Sequence, residues 1–422
     1  MLLVNNHCQF LERSKWRIVG VILASMIFFQ SCKSEFILTK LLDYQISYKF
    51  SEQIEREAQQ DTLPWRYQIS ASEFALKGDY RGALTHWDLA FPGREINYSK
   101  EKTDSLRAVY FPVKAKDYIL KQAESHRVII INEAHQNSFH RAFTRSLLQD
   151  LFNLGYTNLG LEALNNGAHR DSLLHERNYP IKDTGYYIQD PQFGNLVRDA
   201  REIGFHLFAY EATGGEDGKY REISQAKNIQ AMLEARPKEK FLIHVGFDHA
   251  LEGIHNSWEK AMAARLTEYT GIDPFTVDQV MYSEKGNFNW SHPLLKAMEI
   301  SQSTVLIGKD GIPLGYRRGE AYTDLAVLHP KSAFLSERPS WIFDDFYKKV
   351  EITIPKKLRG YPQMVLAYKK GENVHTGIPI DIVEIKSKDE SCVLALKPGV
   401  YDLIITNKKF SFKMPLVVED QN

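Results

Sequence analysis

Apolar runs that stop abruptly at acidic or imidazole residues punctuate the middle of the chain. They are Ile129-Ile-Ile-Asn-Glu133-Ala-His135, Leu159-Gly-Leu-Glu162, Leu207-Phe-Ala-Tyr-Glu211 and Ile243-His-Val-Gly-Phe-Asp-His249. Continuous apolar runs of strand length, separated by segments with helical apolar spacing, predict buried parallel strands joined by helical crossovers. The pattern predicts strands at 128–131, 158–162, 205–210, 240–245 and 275–282, and helices at 138–154, 193–203, 220–235 and 256–270. Phe139, Phe143, Leu147, Leu148 and Leu151 stripe the first of these helices, and Gly155 ends it. Residues 165–191 form a long insertion carrying His169, His175, Tyr179, Tyr186 and Tyr187, suited to a lid. The expected fold class is α/β, a mostly parallel sheet flanked by helices. Parallel strands share one direction, so Glu133, His135, Glu162, Glu211 and His249 gather at its carboxyl edge, where open α/β sheets bind ligands.

The flanks follow other periods. Residues 65–91 predict a helical hairpin turning at Gly78-Asp79, whereas 33–64 mix polar and apolar types as a spacer would. Residues 287–328 look loop-rich. From Val350 strand-like alternation takes over, at 351–354, 363–368, 380–385, 392–396, 400–405 and 410–416, predicting a small β-sandwich. The expected organisation is 1–32 a signal, 33–109 spacer and helical cap, 110–346 the α/β domain and 347–422 the sandwich.

At the amino terminus, Arg13, Lys15 and Arg17 precede the apolar stretch 18–29 and then Gln30-Ser31-Cys32. That stretch is short for a bilayer span and suits an export signal. Ser31-Cys32 resembles a bacterial lipoprotein signal, although Phe29 and Gln30 depart from the usual lipobox. The resemblance implies lipidation at Cys32, loss of Cys8, and a cell-envelope protein anchored to the membrane and facing periplasm or cell surface. Cys392 is then left without an intramolecular disulfide partner, and the fold must rest on its core. With 43% hydrophobic residues the chain can build one. Lys plus Arg equals Asp plus Glu at 53 each, so no global field steers the protein to nucleic acid.

Glu133-Ala-His135-Gln-Asn137-Ser-Phe-His140 resembles the Glu-x-His-x-Asn-x-x-His signature of ChaN-like proteins, in the superfamily that also holds Tiki-type metalloproteases and erythromycin esterases. Glu162, the Arg221-Glu222 to Asn228 helix and Gly246-Phe-Asp-His249 follow in that family's order; Asn132 stands where the family usually has Gly. The likeness covers roughly residues 125–285. It implies one of three chemistries: metal-dependent proteolysis, ester hydrolysis with a histidine base, or haem binding without turnover. It also implies substrate or cofactor contacts for His140, Asn137 and Asn228. Residues 72–90 resemble a single tetratricopeptide-type unit, and Leu396-Lys-Pro-Gly-Val-Tyr-Asp-Leu403 resembles the turn of transthyretin-like sandwiches.

The residues themselves leave two hydrolytic routes open. Glu133, His135, Glu162, His249 and Glu211 are types that hold zinc, manganese or cobalt, with a coordinated water as nucleophile. Alternatively His135 is general base to a water, Glu133 or Glu162 sets its tautomer, and Arg221 stabilises an oxyanion or binds an anionic group. The substrate expected in either case is a small molecule or peptide with an ester or amide bond. A Gly-x-Ser-x-Gly elbow is missing, and Cys392 is in another domain. Each candidate also has a plain structural alternative: Glu211 as a helix cap, Arg221 as an ion-pair partner, His244 as a core histidine, and His175, Tyr186 and Tyr187 as lid packing.

Overall fold

The computed structural model describes residues 40–355, 358 and 360–420. Cys32 and the apolar stretch before it lie outside the described residues. Among those described, no helix is long and apolar enough to cross a membrane.

In chain order the principal elements begin with β1 (Lys40–Leu42), α1 (Ser51–Gln60), α2 (Arg66–Leu76), α3 (Tyr80–Ala90), α4 (Lys100–Val109), β2 (Tyr110–Lys114) and α5 (Ala115–Ala123). The α/β core follows as β3 (Val128–Glu133), α6 (Ser138–Asn153), β4 (Tyr156–Leu161), α7 (Pro191–Ile203), β5 (His206–Ala209), α8 (Gly218–Ala235), β6 (Lys240–Gly246), α9 (Met262–Thr270) and β7 (Phe275–Asp278). Then come α10 (Pro293–Met298), β8 (Thr304–Gly308) and β9 (Leu325–Leu328). The sandwich strands are β10 (Lys348–Ile352), β11 (Gln363–Lys369), β12 (Asp381–Ile385), β13 (Cys392–Leu396), β14 (Gly399–Thr406) and β15 (Ser411–Val418).

One eight-stranded sheet has the order β2-β8-β9-β7-β3-β6-β4-β5. The strands from β9 through β5 are mutually parallel, and β8 and β2 run antiparallel at one end. The fold is α/β, as the apolar runs predict. Side-chain alternation sorts the core: Ile129 and Ile131 of β3 pack with Leu147, Leu148 and Leu151 of α6, while Val128 and Ile130 pack on the opposite face with Ile229 of α8 and Leu266 of α9. Each fully buried side chain of this kind contributes about 1.5–3 kcal/mol, so the strands form a stiff base for the loops at their ends. Asn137 caps α6 by accepting from the Phe139 amide, and Asp190, followed by Pro191, caps α7.

Two differences from the sequence expectation have physical causes. Segment 287–328, read as loop-rich, contains β8 and β9; these strands are only four or five residues long and find their neighbours far away, at β2 and β7. Part of the expected spacer is structural. Leu41 pairs with Phe412 of β15, and Tyr44, Tyr48 and Phe50 close an apolar layer with Leu366, Tyr368 and Ile404 of the sandwich. Their irregular spacing carries no strand signal without that distant partner.

The sandwich joins a five-stranded sheet, β1-β15-β14-β11-β12, to the pair β10-β13. Tyr401 and Leu403 face its core. The α2–α3 hairpin rests on it where Gly78, at φ +76°, approaches Ile382 so closely that a Cβ would lie 2.7 Å from the carbonyl oxygen. Beside that turn the buried Lys77 pairs with Glu384 at 2.8 Å.

Candidate functional site

Glu133 ends β3, and its parity turns it toward α6. There Arg141, in the first helical turn and fully buried, grips both carboxylate oxygens, Nε to Oε2 at 2.6 Å and Nη2 to Oε1 at 2.8 Å. The same guanidinium donates to Asp190 at 2.5 Å and to the His135 carbonyl at 2.8 Å. Burial alone would raise the pKa of Glu133, but the Arg141 charge and its two hydrogen bonds outweigh it and hold the carboxylate well below its usual range. Asp190, sharing the same arginine, is pushed up by burial.

His135 follows on the loop, with its side chain 21% exposed. Its Nδ1 lies 3.1 Å from Glu133 Oε1, its face stacks on Tyr187 of the insertion at 4.0 Å between centroids, and the Phe247 ring meets it edge-on at 5.0 Å. With the carboxylate accepting from Nδ1–H, Nε2 is left as an acceptor. Glycine at 246 admits the ring: a Cβ there would sit 2.4 Å from His135 Cε1, 2.8 Å from Nε2 and 3.3 Å from Glu162 Oε2. The imidazole nitrogen and the second carboxylate therefore border one point beside the end of β6.

Arg221, on α8, ties together the other half. It donates to Glu162 at 2.5 Å, to Glu211 at 2.5 and 3.0 Å, and to His249 Nε2 at 2.9 Å. Glu162 also accepts from the Gly246 amide at 2.5 Å. Burial raises its pKa, but His249, His135 and Arg221 together bring it below the ordinary value. His249 stacks on Trp258 and points Nδ1 at Glu222, 2.7 Å away. Burial lowers its pKa, and Glu162 and Glu222 more than reverse that. The Arg221 bond nevertheless requires Nε2 as acceptor, so the neutral Nδ1–H tautomer is the one that satisfies both neighbours.

These groups line a cavity of about 570 Å³ at the carboxyl edge, roofed by the insertion through Asn165, Asn166, His169, Tyr186 and Tyr187. Glu133, His135, Glu162, Glu211 and Arg221 all border it, whereas His249 stands behind Arg221. His140, Asn137 and Asn228 do not line it. His140 is fully buried, accepting from the Ala134 amide and bonded to Ser283; Asn137 caps α6; Asn228 donates to the Tyr210 carbonyl. His175 bonds the Leu207 carbonyl and is likewise outside the cavity.

Sequence reasoning passed over Arg141, Asp190 and Glu222, and it placed His244 in the core alone. His244 is buried, yet it forms part of the cavity floor 3.7 Å from Glu133, and its Nε2 has no hydrogen-bond partner among the described residues. Burial drops its pKa to about 4. A signal for Arg141 was present: it lies four and seven residues before Arg145 and Leu148, in phase with the buried stripe of α6. An arginine in that position needs a carboxylate.

The expected metal ligands are a poor fit for a cation. Glu133 is occupied bidentately by Arg141, and Arg221 sits between Glu162, Glu211 and His249, so a divalent ion would displace or face a guanidinium at each carboxylate. Among the described residues no group of three or more His, Cys, Asp or Glu side chains is arranged to hold one.

No family model matches the chain, and no curated protein matches it. Among solved structures, the type III effector HopBA1 is similar over 53% of this chain and 97% of its own, with 9% identity and a TM-score of 0.35. RRSP, a MARTX toxin effector domain from Vibrio vulnificus, is similar over 51% of this chain and 43% of its own, with 18% identity and a TM-score of 0.28. The C-terminal region of Pasteurella multocida toxin, described as having a thiol-protease like catalytic triad, is similar over 84% of this chain and 54% of its own, with 9% identity and a TM-score of 0.29. At such scores no residue role is carried across.

Proposed function

We propose that the α/β domain is a metal-independent hydrolase of ester or amide bonds in which His135 is the general base. The observation that supports it is the His135 ring itself: Nδ1 on an ionised, arginine-clamped Glu133, Nε2 open to the cavity, and Glu162 bordering the same point. A water between Nε2 and Glu162 would give its proton to the imidazole as oxygen attacks the substrate carbonyl. The imidazolium, stabilised by Glu133, would then return the proton to the leaving alkoxide or amine. A positioned base of this kind contributes roughly 10²- to 10⁴-fold in rate. Arg221 is saturated by Glu162, Glu211 and His249, which supports a positioning role for it over that of oxyanion partner. Membership of the ChaN, Tiki and erythromycin esterase-like superfamily, and lipid anchoring at Cys32 in the cell envelope, belong to the same proposal and rest on the sequence motifs.

A panel of chromogenic esters and anilides, assayed with the wild type and His135→Ala at equal folded concentration, tests the reading. Turnover should fall by at least about 100-fold in the variant. Equal turnover by the two proteins would remove His135 from the chemistry.

A further inference from the structure

A second cavity, of about 410 Å³, lies on the other side of the loop that carries His135. Its walls include Trp87 at the end of α3, Trp290 before α10, Met281, Phe247, Ile96 and Gln136. The two cavities share a partition: Gly246 borders the first and Phe247 the second, while His135 faces the first and its neighbours Ala134 and Gln136 face the second. Both volumes fall in the range of ordinary ligand sites.

Two features of this second cavity point to a ligand. Gln136 is 5% exposed, and its Oε1 has no hydrogen-bond partner among the described residues. A buried acceptor left unmatched costs about 1–3 kcal/mol, which an incoming N–H relieves. Phe247 holds φ +41°, a conformation rare for an aromatic residue, with its carbonyl fixed by the Asn132 amide at 2.9 Å. The strained backbone sets the phenyl ring between two others, edge-on to His135 at 5.0 Å and 17° from parallel to Trp87 at 5.8 Å. Trp290 is held by the turn before α4, where a Cβ on Gly93 would come within 2.7 Å of it.

We infer that this cavity is a subsite for an aromatic side chain of a peptide-like substrate, whose amide N–H is accepted by Gln136 and whose adjoining carbonyl crosses the partition toward His135. The inference rests on the hydrolase reading for the direction of the substrate, and not for binding itself. Aromatic walls favour a ring by offset or edge contacts. The helical hairpin, which has no other role at the site, supplies one wall through Trp87.

N-acetyl-L-phenylalaninamide binding to the full chain, followed by titration calorimetry and by quenching of tryptophan fluorescence, tests this. The wild type should bind it and not N-acetylglycinamide, and Trp290→Ala and Gln136→Leu should each weaken binding roughly tenfold with the melting temperature unchanged. His135→Ala should bind as the wild type does, so a failed hydrolase reading would leave this result standing. No binding by the wild type, equal affinity for the glycine probe, or indifference to both variants would overturn the subsite. Indifference to Gln136→Leu alone would overturn the assigned amide contact.

Discussion

Glu133 is the residue on which the site turns, and Arg141 is what makes it a stable anion in a buried place. Removing Arg141 leaves an uncompensated buried carboxylate, so Arg141→Leu should destabilise the fold by about 3–5 kcal/mol, read from urea denaturation midpoints. The pH dependence has a definite sign. Glu133 and Glu162 titrate below their ordinary 4.5 when folded, so the stability they contribute is complete above that value and is lost as pH falls below it. Thermal melts of Glu133→Gln should therefore show a shallower acid limb than the wild type below pH 4.5. Gly246→Ala should depress turnover by an order of magnitude or more while leaving the melting temperature within a few degrees, because the new methyl pushes the His135 ring off Glu133. The strand-end acids and imidazoles were legible because strand direction alone gathers them. Arg141 and Asp190 were not, since a buried arginine on a helix declares itself only when its carboxylates are known. His140 and Asn137 looked like ligands because motif spacing does not distinguish a cap or a core contact from a group that faces a cavity.

At the scale of elements, the parallel strands and their helices were readable from period and direction, and their ends fell within a few residues of expectation. The elements that escaped are those whose partners are remote in sequence. β8 and β9 are short and complete a sheet begun near residue 128; β1 adds to a strand that starts at Ser411. Deleting residues through Phe50 should thus lower the melting temperature by several degrees relative to a chain starting at Lys40, although neither loses any of the α/β domain. Tyr44, Tyr48 and Phe50 are buried against β11, β12 and β14, and their removal leaves that face of the sandwich wet. An unchanged melt would return 40–50 to the role of spacer.

Taken as one molecule, the sheet supplies a fixed carboxyl edge, the 165–191 insertion roofs it, and the helical hairpin walls the space behind the His135 loop. The clearest division between this account and its rivals concerns the cation. Two guanidinium groups neutralise the carboxylates that a metal would otherwise need, so the proton chemistry falls to His135 and Glu133. The decisive measurement is the initial rate of ester or amide hydrolysis by the wild type before and after exhaustive chelation, with elemental analysis of both samples. The account predicts a rate that survives the loss of every transition metal and is unchanged by added zinc or manganese. A rate that disappears with chelation and returns with one of those ions would contradict it.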